Sequence, residues 1–266
     1  MNAIPATTVA NLRDLGGTPL TDGRSVRSGL LFRSGQLDRL DAAADRAVAA
    51  LGVRTVVDFR TRAERSARPD KIPVGGRLLL ADVLADQVTS GRMPPAARLR
   101  QLLSDPAVTE QELGGGQAQT LFGDIYRSFV TTDSARASYR AFLNELAEPG
   151  AAPLLFHCTA GKDRTGWAAT IVLTLLGATP ETVEAEYLAV NTAVRQAFAP
   201  MVKGFTAQGG EPETALAIIG VVPDYLEAAL DEVDARYGSM EKYVREGLGV
   251  PAKALERIRA LLTVTP

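Results

Sequence analysis

The single histidine and the single cysteine of this chain are adjacent, in the stretch Phe156-His-Cys-Thr-Ala-Gly-Lys-Asp-Arg-Thr-Gly166. Five residues separate Cys158 from Arg164. The apolar run Pro153-Leu-Leu-Phe-His157 leads in, and a strongly apolar stretch from Thr165 to Leu176 leads out. As strand, turn and helix, this leaves the first N–H groups of the helix without intrahelical acceptors, with the positive end of the helix dipole behind them. Such a turn is an anion site of phosphate size. A thiol at a helix N-terminus beside a guanidinium is favoured as the thiolate, a nucleophile. Arg164 can grip two phosphate oxygens with a planar fork that lysine cannot reproduce. Thr165 can donate its hydroxyl to the thiolate. Gly161 lets the backbone turn close to a ligand, and Gly166 allows tight helix packing. The plainer reading, a buried structural cysteine ending a core strand, explains the apolar approach but not the Gly-Lys-Asp-Arg-Thr-Gly that follows.

Other elements must hold this turn in place. Short strands are expected near 26–27 and 31–33, and a helix starting at Asp38 or Asp41, with Leu40, Ala44, Val48 and Leu51 on one face, stopped by Gly52. Thr55 to Phe59 reads as a buried strand, 61–68 as a short helix, and 77–81 as a further strand. Residues 82–119, with Pro94-Pro95, Pro106 and Gly114-Gly-Gly116, read as an irregular insertion. Helices are expected over 121–130 and 134–147, and then over 180–196, 197–208, 212–219, 223–237, 239–246 and 251–263. Strands alternate with helices first and helices fill the last third. The expected fold is α/β: a small, mainly parallel sheet flanked by helices, in one domain over 1–266, with the site beyond the carboxyl ends of the strands.

Composition narrows the chemistry. The chain has 266 residues, 46% hydrophobic and 23% charged, enough for a sizeable core. A net charge of −2 gives no global field toward nucleic acid or anionic membrane. One cysteine and one histidine exclude an internal disulfide and Cys-rich or multi-histidine zinc sites. The longest apolar stretch, Trp167 to Ala178, is well short of the ~20 residues of a membrane span. The first residues lack a signal-peptide pattern, so a cytoplasmic location is the default expectation, with leaderless export as the alternative.

The stretch around Cys158 is similar to the signature loop of the cysteine-dependent protein tyrosine phosphatase superfamily, H-C-x5-R-[ST]. The wider chain resembles the bacterial tyrosine phosphatases of the PtpB type, through Asn11-Leu-Arg-Asp-Leu-Gly-Gly17, Leu31-Phe-Arg-Ser34, Val57-Asp-Phe-Arg60, Tyr187-Leu188 with Asn191, and Tyr237-Gly-Ser239. The resemblance implies hydrolysis of phosphomonoesters in two steps. Cys158 attacks phosphorus, and water hydrolyses the phosphocysteine. Thr159, Ala160, Gly161, Lys162 and Thr165 with Arg164 would bind the phosphate, and no metal or cofactor is needed. Substrates would be phosphoproteins or phosphoinositides.

The resemblance leaves the general acid open between two residues. Asp163 lies inside the loop, in an Asp-Arg-Thr that some lipid-directed relatives share. Asp82 follows the 77–81 strand, where the superfamily's Trp-Pro-Asp is replaced by Leu80-Ala-Asp82. The plainer roles are a loop acceptor for Asp163 and a capping carboxylate for Asp82. His157 is expected to orient the loop, or to be a buried histidine satisfied by backbone. Lys162 would meet a second phosphate, or be a solvated lysine. Arg13, Asp14 and Arg60 are expected to buttress the loop as ion-pair partners. Tyr126 and Phe129 share a helix face that could wall the pocket, although core packing is the simpler reading. Residues 82–119 and the helices of about 192–220 are candidate lids. The competing classes are a catalytically weak phosphate-binding module and another cysteine chemistry, such as sulfur transfer or arsenate reduction, on the same loop.

Overall fold

The computed structural model describes residues 2–41, 43–73, 75–89 and 105–265. A six-stranded sheet runs in the order β1 (Asn2–Ala3), β2 (Arg13–Asp14), β4 (Leu31–Ser34), β7 (Leu154–His157), β5 (Thr55–Asp58) and β6 (Arg77–Leu80). The last four are mutually parallel, and β1 and β2 add antiparallel at one edge. A two-stranded ribbon of β3 (Ser25–Val26) and β8 (Thr263–Val264) ties the N-terminal region to the chain's end.

Strand periodicity of two sorts side chains onto two faces. Leu31, Val57, Leu154 and Phe156 enter the larger core, with the helices Gln117–Thr131, Asp133–Leu146 and Asp163–Leu176. Phe32, Val56 and Leu155 face a smaller core with Val9, Leu12, Leu37, Leu40 and Val48. Because β7 lies between β4 and β5, the turn after it is flanked by the turns that follow both neighbours. The expected α/β architecture, mainly parallel with helices around it, is present.

Some boundaries differ. The helix expected from Asp38 or Asp41 is only Arg46–Ala49, and its cap is Asp45, whose Oδ1 accepts from Val48 N–H. Asp41 instead accepts from Ala43 and Ala44 N–H, a local turn that competes with the helix. The expected insertion at 82–119 is largely helical where described. It contains Ala85–Thr89, and then Pro106–Leu113 with Asp105 as cap and proline in the first turn. The Pro94-Pro95 part of that expectation lies outside the described residues. The helices expected over 180–196 and 197–208 are Pro180–Leu188 and Val190–Ala207, with the boundary at Ala189 and Pro200 inside the second. The 239–246 segment is a short helix, Met240–Lys242, followed by a π-helical turn, Tyr243–Gly247.

Candidate active site

Strand β7 ends at His157 and the helix Asp163–Leu176 follows, so the five residues Cys158 to Lys162 form a tight loop over the helix N-terminus. The loop's carbonyls are drawn outward. His157 Nδ1 is 3.1 Å from the Cys158 carbonyl. Gln36 N–H donates to Thr159 at 3.1 Å. Asn11 Nδ2 donates to Gly161 at 2.9 Å and more weakly to Ala160 at 3.4 Å, and Arg33 Nη2 donates to Gly161 at 2.8 Å. Among the described residues, the N–H groups of Thr159 to Arg164 have no protein acceptor. With the carbonyls held outside, those donors form a nest for an oxyanion. Gly161 makes this possible, because its φ is +68° and a Cβ there would lie 2.3 Å from the Ser34 carbonyl oxygen.

Arg164 is buried, and its fork is occupied on one side by Glu64, with Nη1 and Nη2 each 2.8 Å from a carboxylate oxygen. Glu64 also accepts from the Thr159 hydroxyl and from Thr61 N–H at 2.8 Å. Burial alone would raise its carboxyl, but the charge and hydrogen bonds of Arg164 hold it well below the ordinary carboxylate range. Arg164 is in turn held more firmly protonated, Glu64 overcoming the cost of burial. Sequence reading missed Glu64 in this role. The signal was a capping box, Thr61-Arg-Ala-Glu64, in which each end caps the other.

His157 is fully buried, with Nε2 3.1 Å from Asp70 Oδ2. Arg60 bridges Asp58 at 2.9 Å and Asp70 at 2.7 Å. Burial would raise Asp70, but its neighbours His157, at 3.1 Å, and Arg60 pull it down. Asp58, Asp70 and His157 offer ligand atoms within 4.8 Å of one another. The Arg60 guanidinium pairs with both carboxylates and puts one positive charge where a cation would sit. Arg60 is thus an ion-pair partner one step behind the loop. Arg13 is two steps behind, through Glu186 and Arg33. Asp14 is not part of this support, since its oxygens accept from Gly16 and Gly29 N–H in a turn.

Asp163 is half-buried at the first helical position. Its Oδ1 accepts from the Tyr126 hydroxyl at 3.2 Å, and its Oδ2 lies 3.9 Å from Lys162 Nζ. Asp82 is also half-buried, but each of its oxygens accepts a backbone N–H, from Arg62 at 3.0 Å and Leu84 at 3.1 Å. That is the capping arrangement.

Lys162 departs from both expectations. It is buried, and its ammonium donates to the carbonyls of Ile218, Ile219 and Gly220 at 2.8, 3.2 and 2.9 Å, over the Phe122 ring at 5.1 Å. The carbonyls that end the helix Pro212–Ile219 lack intrahelical partners and attract a cation. Burial lowers the Lys162 ammonium, partly opposed by Asp163 and Cys158. Thr165 is buried, and its hydroxyl makes no bond to Cys158 or to any other described residue, so the expected Thr165–thiol bond is not formed. Gly166 does permit close packing: a Cβ there would meet the Tyr187 ring at 3.1 Å. Tyr126 and Phe129 are core residues, as the simpler reading had it.

A thiol at the end of a central parallel strand, an oxyanion nest and a buttressed arginine meet at one loop, a geometry suited to holding a phosphoryl group beside a nucleophile. The comparisons show the family. The model of the tyrosine phosphatase family matches residues 4–264, and the chain belongs to that family. It is 34% identical over 250 residues to a Cupriavidus necator protein that bears a provisional tyrosine-protein phosphatase name, covering 93% of this chain and 85% of that one. It is 30% identical over 275 residues to the triple specificity protein phosphatase PtpB of Mycobacterium tuberculosis, covering 95% and 96%. A tyrosine-protein phosphatase of Nostoc commune is 28% identical over 160 residues, covering 60% and 48%. The chain is thus a phosphatase of the protein tyrosine class. No helix among the described residues is long and apolar enough to cross a membrane.

Proposed function

We propose that this phosphatase works through a phosphocysteine formed on Cys158, with Asp163 as the proton donor. The observation that carries the reading is the outward-turned loop: the carbonyls of Cys158 to Gly161 are held from outside, and the N–H groups of Thr159 to Arg164 are free for equatorial phosphate oxygens. Charge spreads onto those oxygens in the transition state, where preorganised donors act most strongly. The Glu64 clamp orients the Arg164 fork for two of them. Cys158 attacks in line, the S–P bond forms and the ester P–O bond breaks, and the departing oxygen takes a proton from Asp163. Water then attacks phosphorus, giving its proton to Asp163, and the thiolate leaves. Asp163 is favoured over Asp82 because Asp82 has both oxygens on backbone N–H groups.

The substrate range proposed is phosphotyrosine first, with phosphoserine and phosphothreonine, in line with the relative named for triple specificity. A phosphoinositide would need a cation for its second phosphate. Lys162 could serve only by exchanging the carbonyls at 218–220 for that phosphate. The helices Val190–Ala207 and Pro212–Ile219 are the proposed lid, and Lys162 is tied to the end of the second.

The decisive experiment is p-nitrophenyl phosphate turnover in EDTA, wild type against Cys158→Ser. Turnover that survives EDTA and falls by at least ~10³-fold in the variant is expected. A folded wild type that binds vanadate without turnover would mark a phosphate-binding module instead.

A further inference from the structure

Asp163 is served by a chain of two buried phenols. Tyr187 donates to the Tyr126 hydroxyl at 2.8 Å, and Tyr126 donates to Asp163 Oδ1 at 3.2 Å. The two rings meet edge to face, with centroids 6.0 Å apart. Both tyrosines are fully buried. Tyr126 comes from the helix Gln117–Thr131 and Tyr187 from Pro180–Leu188, so the pair joins two elements distant in sequence to the first turn of the signature helix. Gly166, inside the signature stretch, is what lets the Tyr187 ring approach. Burial, reinforced by the neighbouring hydroxyl and Asp163, raises Tyr126 well above an ordinary phenol, and burial likewise raises Tyr187. Both therefore act as neutral donors.

We propose that Tyr126 and Tyr187 are positioning residues for the catalytic proton: they hold Oδ1 of Asp163 and leave Oδ2 to carry the proton given to the leaving group. This rests on the reading of Asp163 as general acid. A phenol has one proton to donate. Tyr126 accepts from Tyr187, so its own proton goes to Oδ1, and that oxygen is an acceptor. The transferable proton is then on Oδ2. As the Cys158 Sγ–P bond forms and the ester P–O bond breaks, that proton passes to the departing oxygen. The negative charge left on Asp163 is met at Oδ1 by the hydrogen bond already in place. Lys162, Arg164, Tyr139 and Tyr225 also act electrostatically on Asp163, Lys162 from 3.9 Å.

The test uses the full chain with p-nitrophenyl phosphate, whose leaving group needs little protonation, and phenyl phosphate, whose leaving group needs much. Tyr126→Phe is expected to lose about tenfold more kcat/KM on phenyl phosphate than on p-nitrophenyl phosphate. That is a fraction of the ~10²–10⁴ that proton transfer supplies. Vanadate inhibition and the rate of Cys158 alkylation by iodoacetate should be unchanged. Tyr187→Phe should show the same pattern more weakly, and it carries the test if Tyr126→Phe does not fold. Equal losses on both substrates, or weakened vanadate binding, would make the tyrosines structural packing and overturn the proposal. Asp163→Asn is the control. Strong leaving-group dependence there with none in either tyrosine variant sinks only this inference, whereas none in Asp163→Asn sinks the acid assignment itself.

Discussion

Glu64 has three tasks at once: it caps its own helix, clamps the Arg164 fork and takes the Thr159 hydroxyl. Removing its charge leaves Arg164 buried without its counterion, and breaking such a pair costs roughly 3–5 kcal/mol. Glu64→Gln should therefore lower the urea midpoint and also weaken vanadate binding at least about tenfold, as inhibition of p-nitrophenyl phosphate turnover will read. Loss of stability with unchanged vanadate affinity would show that Arg164 orients itself. Lys162 makes a contrasting prediction. Lys162→Met removes the donor from three carbonyls, each buried acceptor costing about 1–3 kcal/mol when left unpaired. Hydrogen exchange should then speed up at 212–221 rather than in the signature loop. Unchanged exchange there would mean that the ammonium does not hold this helix end.

At the scale of elements, the loop works because three strand ends converge on it. Ser34 closes β4, and its carbonyl comes so near that only glycine fits at 161. Gly161→Ala combines a positive φ with a Cβ 2.3 Å from that oxygen. A displacement of about 1 Å at reacting atoms costs ~10²-fold in rate, so turnover should fall at least that far while far-UV circular dichroism stays native. The N-terminal segment is as much a part of the site as the loop. Asn11, itself at φ +55°, reaches Gly161 across 150 positions of sequence.

For the molecule as a whole, two tests follow. Glu64 and Asp45 are held below their ordinary range, Asp45 to about 2 by hydrogen bonds from Thr8, Thr7 and Val48 that outweigh its burial. A folded-state value below the unfolded one means that the unfolded chain takes up protons first as pH falls. The stability these groups add is complete above the unfolded carboxylate values near ~4 and is lost as pH falls toward ~2. The urea midpoint should decline over that window, and less steeply in Asp45→Asn, whose starting stability is lower. The second test is closure of the chain through β3 and β8, where Arg27 N–H donates to Leu262 and Arg27 Nη2 to Thr263. Deleting 263–266 should lower Tm by a few degrees, as the loss of ~1–2 kcal/mol does in a domain of this size, and leave kcat unchanged.

The sequence by itself determined the turn and its strand and helix, because a nucleophile, glycines and an arginine at fixed spacing are local requirements. It also marked the central strands and most of the helices, since periodicity is local too, but not the short strands Asn2–Ala3, Arg13–Asp14 and Thr263–Val264 or the helices Ala85–Thr89 and Pro106–Leu113. It marked the short helix over 61–68, but not that Glu64 would face Arg164. Only the tertiary structure decided what surrounds the loop. Asn11, Arg33, Gln36, Glu64, Asp70, Tyr126 and Tyr187 reach it or its support from separate elements, and their own neighbourhoods do not say which atoms they will meet. Lys162 is the clearest case. Its place in the loop suggested a phosphate ligand, yet its ammonium is taken by the end of a helix more than fifty residues away. A side chain's type fixes what it can bond. Which partner it finds depends on packing that brings distant groups together.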